Sequence, residues 1–324
     1  MRASDRGFAL LTALWALVLV GALAGAYLAA SRDVVLVSDN RNAEFQATLA
    51  ARAGLEQVHN AMERLQTLGT ETSARLDPTE RARLARVWNH LDSSFAGIAR
   101  GCLDDACYEA EVRDLGTLLN VNLASEAQLR SLFLAAGADY RRADVAAQSI
   151  ADWIDADDLH RARGAERAYY VSIGSAHPPR NAPIADVREL ARVRAVDGEI
   201  LESALAYLTV EGRGRVNLNA APQPVLAALP GFGPEIVQAV MEARRRGTIF
   251  ANLFEVSLLL GPYARARLQE HFAELASLAA FEPEEIQAMS SGRRSEHPIR
   301  VTLRAVYVRS GARVAQVKRW RLEP

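Results

Sequence analysis

Arg2-Ala3-Ser4-Asp5-Arg6-Gly7, followed by the run from Phe8 to Ala30, decides how the rest of this chain is read. The run holds 23 residues without a charge. As a helix at about 1.5 Å per residue it is about 35 Å long, enough to cross a hydrocarbon core of about 30 Å. It exceeds the ~7–15 apolar residues of a secretory signal peptide. A short polar leader ends in Gly7 and the apolar helix begins directly at Phe8. Either this helix is discarded, or it anchors everything that follows. Arg2, Arg6 and the α-amine outweigh Asp5 on one side, whereas Arg32 and Asp33 cancel on the other. The positive excess puts the N-terminal side in the cytoplasm and the body outside it.

The 324 residues suffice for about two domains. Half of them are apolar, and 38 Lys and Arg nearly balance 39 Asp and Glu. Net charge therefore exerts no general pull toward nucleic acid.

Beyond the anchor, no proline interrupts Ser31 to Leu68. Val35, Phe45, Leu49, Ala53, Leu55, Val58, Met62 and Leu65 recur at three- and four-residue steps, the pattern of an amphipathic helix. It can continue the membrane helix without a break as far as Gly69, or stand alone as a surface helix after a cleaved signal. One face needs a partner, most simply a β-sheet of the same chain. A short helix is expected from Leu76 to Leu91, opened by Asp77-Pro78. Ser94 to Ala99 and Ala106 to Val112 read as two strands. Cys102 and Cys107 lie across that hairpin, and a compartment that oxidises thiols favours a disulfide between them over two free thiols. At the other end, Ile299, Val301, Leu303, Ala305 and Tyr307 alternate, and Ser310-Gly311 turns the chain back, so residues 298–322 form a β-hairpin after a polar linker, Gly292 to Glu296.

The helical block between these strands contains a repeat. Asn120-Val121-Asn122-Leu123-Ala124 recurs as Asn217-Leu218-Asn219-Ala220-Ala221, and at the same offset Leu129 and Leu132 match Leu226 and Leu229. The asparagines are expected to cap the helix that follows each copy. In the second copy, Leu229-Pro230-Gly231-Phe232-Gly233-Pro234 resembles a helix-hairpin-helix turn, with Arg244, Arg245 and Arg246 downstream. That admits a competing reading, a membrane-anchored DNA-binding protein using phosphate contacts. The balanced charge argues against it.

The first copy ends in Asp152-Trp153-Ile154-Asp155-Ala156-Asp157-Asp158, followed by Gly164-Ala165-Glu166 and Tyr169-Tyr170. Alternating carboxylates in a loop suit a hard cation such as Ca2+, which takes about 6–8 oxygen ligands. The spacing is not that of an EF-hand, and a solvated acidic loop anchored by Trp153 fits the same residues. No nucleophile–histidine constellation and no Gly-rich cofactor loop accompany it, so the chain is not read as an enzyme. Pro178 to Pro183 and the short helix Ile184 to Leu190, capped by Asp186 or Asn181, read as a scaffold joining the two helical units.

Several of these motifs in this order resemble one family: the leader ending at Gly7, the Asp-Trp-Ile-Asp-Ala-Asp loop with Gly164-Ala165-Glu166 and Tyr170, the Pro-Pro-Arg-Asn-Ala-Pro turn, and Val216 to Ala221. The chain is similar over nearly its whole length to the type II secretion system minor pseudopilin K. The resemblance implies an α+β fold: a pilin-like long N-terminal helix and a small antiparallel sheet, carrying a large inserted α-domain of two helix-hairpin-helix-like (SAM-like) units. The corresponding segments are a prepilin leader (1–7), a transmembrane part (8–30), the pilin-like helix and first strands (31–115), the inserted α-domain (116–290, with units at about 116–175 and 214–275) and a C-terminal hairpin (291–324). It implies cleavage after Gly7 and methylation of Phe8 by a prepilin peptidase. It further implies a single-pass inner-membrane subunit with its body in the periplasm. That subunit would sit in a tip complex with minor pseudopilins I and J, next to the other pseudopilus subunits. The family binds calcium in the α-domain, which points to Asp152, Asp155, Asp157, Asp158 and Glu166. Most pilin-like subunits carry Glu at the fifth mature position. Here that residue is Thr12, as suits a subunit with no further subunit above it.

Overall fold

The computed structural model describes residues 3–71, 77–95, 97–310 and 313–322. Helix α1 runs unbroken from Ala3–Glu71. Among the described residues it is the one helix long and apolar enough to cross a membrane. Its first half stands clear of the body, with residues 11–30 and 32–37 exposed. Its second half buries Ala43, Ala47, Ala51, Leu55, Val58 and Met62, one face at helical spacing. The side chains of Gly7 and Phe8 lie outside the described residues; Thr12 is on the exposed part of α1.

Helix α2 (Pro78–Asn89) starts where Asp77 accepts from the N–H groups of Thr79 and Glu80. The one-turn α3 (Leu91–Ser94) follows, so the strand expected from Ser94 is instead a helix end and a turn. Strands β1 (Arg100–Leu103) and β2 (Ala106–Asp114) form the hairpin, in which Cys102 and Cys107 face each other and are joined by a disulfide. The chain then enters the α-domain through β3 (Leu119–Asn120), α4 (Glu126–Ala135), α5 (Tyr140–Ile154), α6 (Arg167–Ser172), α7 (Gly198–Leu205) and β4 (Leu208–Thr209). The second half holds β5 (Val216–Asn217), α8 (Gln223–Ala227), α9 (Pro234–Arg245), α10 (Leu253–Leu258), α11 (Pro262–Glu270), α12 (Phe272–Leu278) and β6 (Ala279–Ala280). It leaves through β7 (Glu285–Arg294), β8 (Arg300–Ser310) and β9 (Arg313–Leu322).

The five long strands make one antiparallel sheet in the order β1-β2-β7-β8-β9. The entire α-domain is thus inserted between two adjacent strands. Strand β7 corrects the sequence reading. The boundary expected at 290/291 falls inside it, and Gly292 is not in a linker but in the middle of the sheet, packed on α1. A Cβ on Gly292 would lie 2.0 Å from the Ala47 carbonyl oxygen. Ala47 and Ala51 opposite it leave room for that approach. Farther along, the Tyr307 hydroxyl donates to the Leu55 carbonyl (3.4 Å) and Val314 N–H donates to Glu63 (2.7 Å).

The repeat has a tertiary purpose that differs from helix capping. Helix α4 is capped by Ser125, in a reciprocal box with Gln128, and Pro222 precedes α8. The first asparagine of each copy bends the chain: Asn120 accepts from Asn122 N–H and Asn217 from Asn219 N–H, both at 3.0 Å. The second asparagine clamps a distant backbone segment through its amide. Asn122 bonds both N–H and C=O of Ile184 (2.8 and 2.9 Å), and Asn219 does the same to Phe250 (2.8 Å each). The Pro178 to Pro183 turn therefore delivers Ile184 to its clamp. The following 3-10 turn, Val187–Arg192, is capped by Asp186, while Asn181 adopts φ 51° and donates to Asp157 O. Each copy also pairs two short parallel strands, β3 with β4 and β5 with β6.

Candidate functional site

The acidic loop begins at the C-terminal end of α5. The Asp152 side chain is fully buried, as is Trp153, whose indole N–H donates to Glu189 (3.1 Å). Tyr170 meets Trp153 edge to face, ring centroids 5.1 Å apart, and its hydroxyl accepts from Arg194 N–H (3.0 Å). This aromatic pair folds Gly164-Ala165-Glu166 back over α5. Gly164 is required there, because a Cβ would stand 1.9 Å from Asp152 Oδ2. Arg194 holds the Gly164 carbonyl at 3.0 Å.

The result is a convergence of three carboxylates. One oxygen each of Asp152, Asp155 and Glu166 lies within 4.8 Å of the others. Glu166 is 3% exposed, and neither of its oxygens has a hydrogen-bond partner; Asp155 Oδ1 is likewise buried and without one. Burial, followed by the Asp152 and Asp155 charges, pushes the Glu166 carboxyl up to about 7. The C-terminal end of α5 adds negative helix-dipole charge at the same point. Orphaned buried oxygens at one point, all hard donors, fit a divalent cation of the calcium class. Asp157 and Asp158, included from the sequence, stand outside this set. Asp157 accepts from Leu159 N–H (2.8 Å), and Asp158 accepts from Asn181 (3.2 Å).

Sequence reasoning missed Arg161 and Glu126. Arg161 Nη1 reaches Asp152 Oδ1 at 2.5 Å and Asp155 Oδ2 at 2.7 Å, and its Nε is 3.8 Å from Glu126 Oε2. Glu126 opens α4, 26 residues before Asp152, with no local signal linking the two. A second ion-pair cluster, Asp144 with Arg130 (2.7 Å) and Arg163 (3.0 Å), braces α4, α5 and the loop.

The glycines of the helix-hairpin-helix turn are covered by side chains, although a cavity beside it is bounded by Gly233, Pro234, Arg245 and Arg267. The His271 ring covers Gly231, and Arg267 and Glu235 crowd Gly233. Arg244 is turned inward to the Ala221 carbonyl (2.6 Å), while Arg245 and Arg246 both pair with Glu242. Arg244 thus serves the packing of α9, whereas Arg245 and Arg246 stay exposed and are paired with Glu242 on their own helix.

Because Glu166 binds a proton where a cation would bind, the two compete. Were Ca2+ ligated by this set, its apparent affinity would fall by about tenfold per pH unit below about pH 7 and level off above it. Calorimetric titration across that range checks this. Without an ion, the raised Glu166 pKa means the folded chain holds a proton that the unfolded chain releases at lower pH. Its contribution to stability is therefore largest at acid pH and declines as pH rises from about 4.5 to about 7.

Residues 106–212 match the family model described as "Type II secretion system (T2SS), protein K". The Escherichia coli (strain K12) protein named "Putative type II secretion system protein K" is 27% identical over 228 residues, covering 68% of this chain and 66% of that relative. The type II secretion system protein K of Pectobacterium carotovorum subsp. carotovorum is 25% identical over 184 residues, 54% and 56% of the two chains. The matched stretch thus spans just under two thirds of the first relative and little more than half of the second. Among solved structures, the crystal structure of the GspK-GspI-GspJ complex from the enterotoxigenic Escherichia coli type 2 secretion system shares the fold. Its TM-score is 0.54 at 18% identity, over 69% of this chain and 83% of the other.

Proposed function

We propose that this chain, which belongs to the type II secretion system protein K family, is a minor pseudopilin at the tip of the secretion pseudopilus. It acts as a structural subunit, not an enzyme, supporting export of folded proteins across the outer membrane. The observation that carries this reading is the architecture itself. A helix of 69 residues, apolar in its first half, packs its second half on a small sheet that carries a large insertion between neighbouring strands. Such a subunit holds itself in the inner membrane by α1 and presents its body in the periplasm. After leader removal at Gly7, the same helix is free to pack with other subunits. Thr12 offers no carboxylate to a neighbour's N-terminal amine, in keeping with a subunit that ends the fibre. The bulk of the α-domain would obstruct further subunits on its side.

The neighbouring structure contains GspI and GspJ beside GspK, which supports minor pseudopilins I and J as the partners here. The test is co-purification of the detergent-solubilised full chain with those two pseudopilins of the same system. A stable ternary complex whose protein K subunit begins at Phe8 is the expected result. Failure to associate, or a mature start after Ala26 or Ala30, counts against the assignment.

The α-domain site is a structural cation site in this reading, with Asp152, Asp155 and Glu166 as ligands and Ca2+ as the ion. Bound there, a divalent ion supplies positive charge to three converging carboxylates. Asp152 and Asp155 present theirs from the end of α5, and the Trp153–Tyr170 contact holds Glu166 against them. A rise in melting temperature on adding Ca2+, reversed by chelator and absent in Glu166→Gln, is expected. A melting temperature indifferent to chelator would be the refuting result.

A further inference from the structure

Two of the three converging carboxylates already carry a cation from the chain itself. Arg161 Nη1 lies between Asp152 Oδ1 (2.5 Å) and Asp155 Oδ2 (2.7 Å). The Arg161 backbone N–H also donates to both Asp152 oxygens (3.3 and 3.2 Å). The guanidinium does not serve Glu166, whose two buried oxygens receive no hydrogen bond. One planar, monovalent group thus serves Asp152 and Asp155 and leaves Glu166 without it. A divalent ion ligated by all three would bind oxygens at about 2.3–2.6 Å and draw on the same two carboxylates that Nη1 now holds. Two cations sharing these carboxylates repel each other, which weakens the hold of Nη1 on them once the ion is bound.

An alternative partner for the displaced group is at hand. Arg161 Nε already stands 3.8 Å from Glu126 Oε2, on the first residue of α4. Glu126 is also engaged by Arg130 at 3.2 Å, and Arg130 in turn holds Asp144 on α5. A guanidinium moving toward Glu126 therefore joins an existing chain of charges that links α4 to α5.

We propose that Arg161 is the resident counter-cation of this site, held on Asp152 and Asp155 until a divalent cation displaces its guanidinium toward Glu126. The proposal rests on the reading of Asp152, Asp155 and Glu166 as cation ligands. Arg161 is a positioning residue in it, not a ligand. It keeps the loop folded before the ion arrives, and it sets the affinity by the cost of its own departure. The site is then not blank without the ion but occupied by a weaker, built-in substitute. Ion binding becomes an exchange whose second product is a tightened Arg161–Glu126 pair.

The experiment measures Ca2+ binding calorimetrically on the detergent-solubilised full chain, together with the melting temperature in chelator. Arg161→Gln removes the charge and keeps the backbone N–H that bonds Asp152. It is expected to bind Ca2+ about tenfold more tightly than the unaltered chain, as removal of a competing cation worth about 1.4 kcal/mol requires. In chelator it should melt at a lower temperature, since two carboxylates lose their counter-charge. Arg161→Lys, which keeps the charge but not the two-pronged donor, should fall between the two. Glu126→Gln removes the alternative partner and should weaken Ca2+ binding severalfold. If the unaltered chain binds Ca2+ and Arg161→Gln binds it equally or less tightly, the exchange is overturned while the site stands. Unchanged affinity in Glu126→Gln overturns the assigned destination. If neither the unaltered chain nor any variant binds Ca2+ at millimolar concentration, the site reading falls and the exchange falls with it.

Discussion

Replacing Gly292 by alanine is expected to unseat α1 from the sheet. The added Cβ would stand 2.0 Å from Ala47 O and 2.6 Å from Ala51 N, both of them backbone atoms that cannot rotate away. The residues facing it are already alanines, so no side chain remains to be trimmed. Relief requires α1 to lift bodily, and with it Gly54, packed on Ser290 and Tyr108, and Leu55, bonded to Tyr307. Overpacking a core costs about 1–3 kcal/mol, and a clash confined to backbone belongs at or above the upper end. A loss of about 3 kcal/mol or more is expected, seen as a large drop in melting temperature. Gly198→Ala is the control: nothing lies within 4 Å of its Cβ, and it opens α7. Equal melting temperatures for the two variants would refute the close approach. Since α1 is also the proposed anchor, Gly292→Ala should disconnect the body from its membrane helix and abolish assembly with the partner pseudopilins.

Asn217→Ala is the second change expected to have a large effect, at the joint between the two domains. Asn217 is fully buried, and its Nδ2 donates to Asp114 Oδ2 (2.7 Å) at the end of β2 and to Asn89 Oδ1 (2.8 Å) at the end of α2. Its Oδ1 accepts from Asn219 N–H. Truncation leaves three buried polar groups without that partner, at about 1–3 kcal/mol each, so a loss of about 3 kcal/mol or more is expected. The loss should depend on pH. Burial pushes Asp114 up to about 6, against the opposing hydrogen bond from Asn217. In a group raised this way the folded chain retains a proton longer than the unfolded chain. Its contribution to stability is thus largest at acid pH and declines as pH rises from about 3.8 to about 6. Without Asn217 the carboxyl loses a group that favours its charged form and rises further, so the decline continues above pH 6. Denaturant unfolding of variant and unaltered chain should diverge as pH is raised through about 6. A difference that is constant with pH would show that Asp114 does not depend on Asn217.

The same joint explains a boundary that sequence reasoning misplaced. Ile286 and Ala288 are buried on the α1 side of β7, but Ser290 and Gly292 continue that face. Small and polar residues hide the alternation of a central strand, so on sequence the segment divides between the inserted α-domain, to residue 290, and a polar linker, Gly292 to Glu296. The asparagine repeat was visible as a repeat, yet its role was not. A hydrogen bond from Asn122 to Ile184 or from Asn219 to Phe250 spans 62 and 31 residues, respectively, and no local rule foretells the partner. The acidic loop divides in the same way. Asp152, Asp155 and Glu166 converge because Trp153 and Tyr170 pack together. Asp157, although also a carboxylate, is spent on a turn hydrogen bond from Leu159 N–H, and Asp158 on one from the distant Asn181 amide.

Sequence by itself determined the properties that depend on nearest neighbours and on water. Twenty-three uncharged residues after a charged leader dictate an apolar helix, because no shorter-range interaction competes with the transfer of that surface out of water. Helical and strand periodicity, the cysteine spacing and the two-fold repeat belong to the same level. Tertiary structure alone decided which polar groups lost their water. Burial raised Glu166 and Asp114, brought Arg161 onto Asp152 and Asp155, and seated Gly292 on the backbone of α1. Each of these depends on what the rest of the fold places within a few ångströms, and that is set by packing between segments distant along the chain.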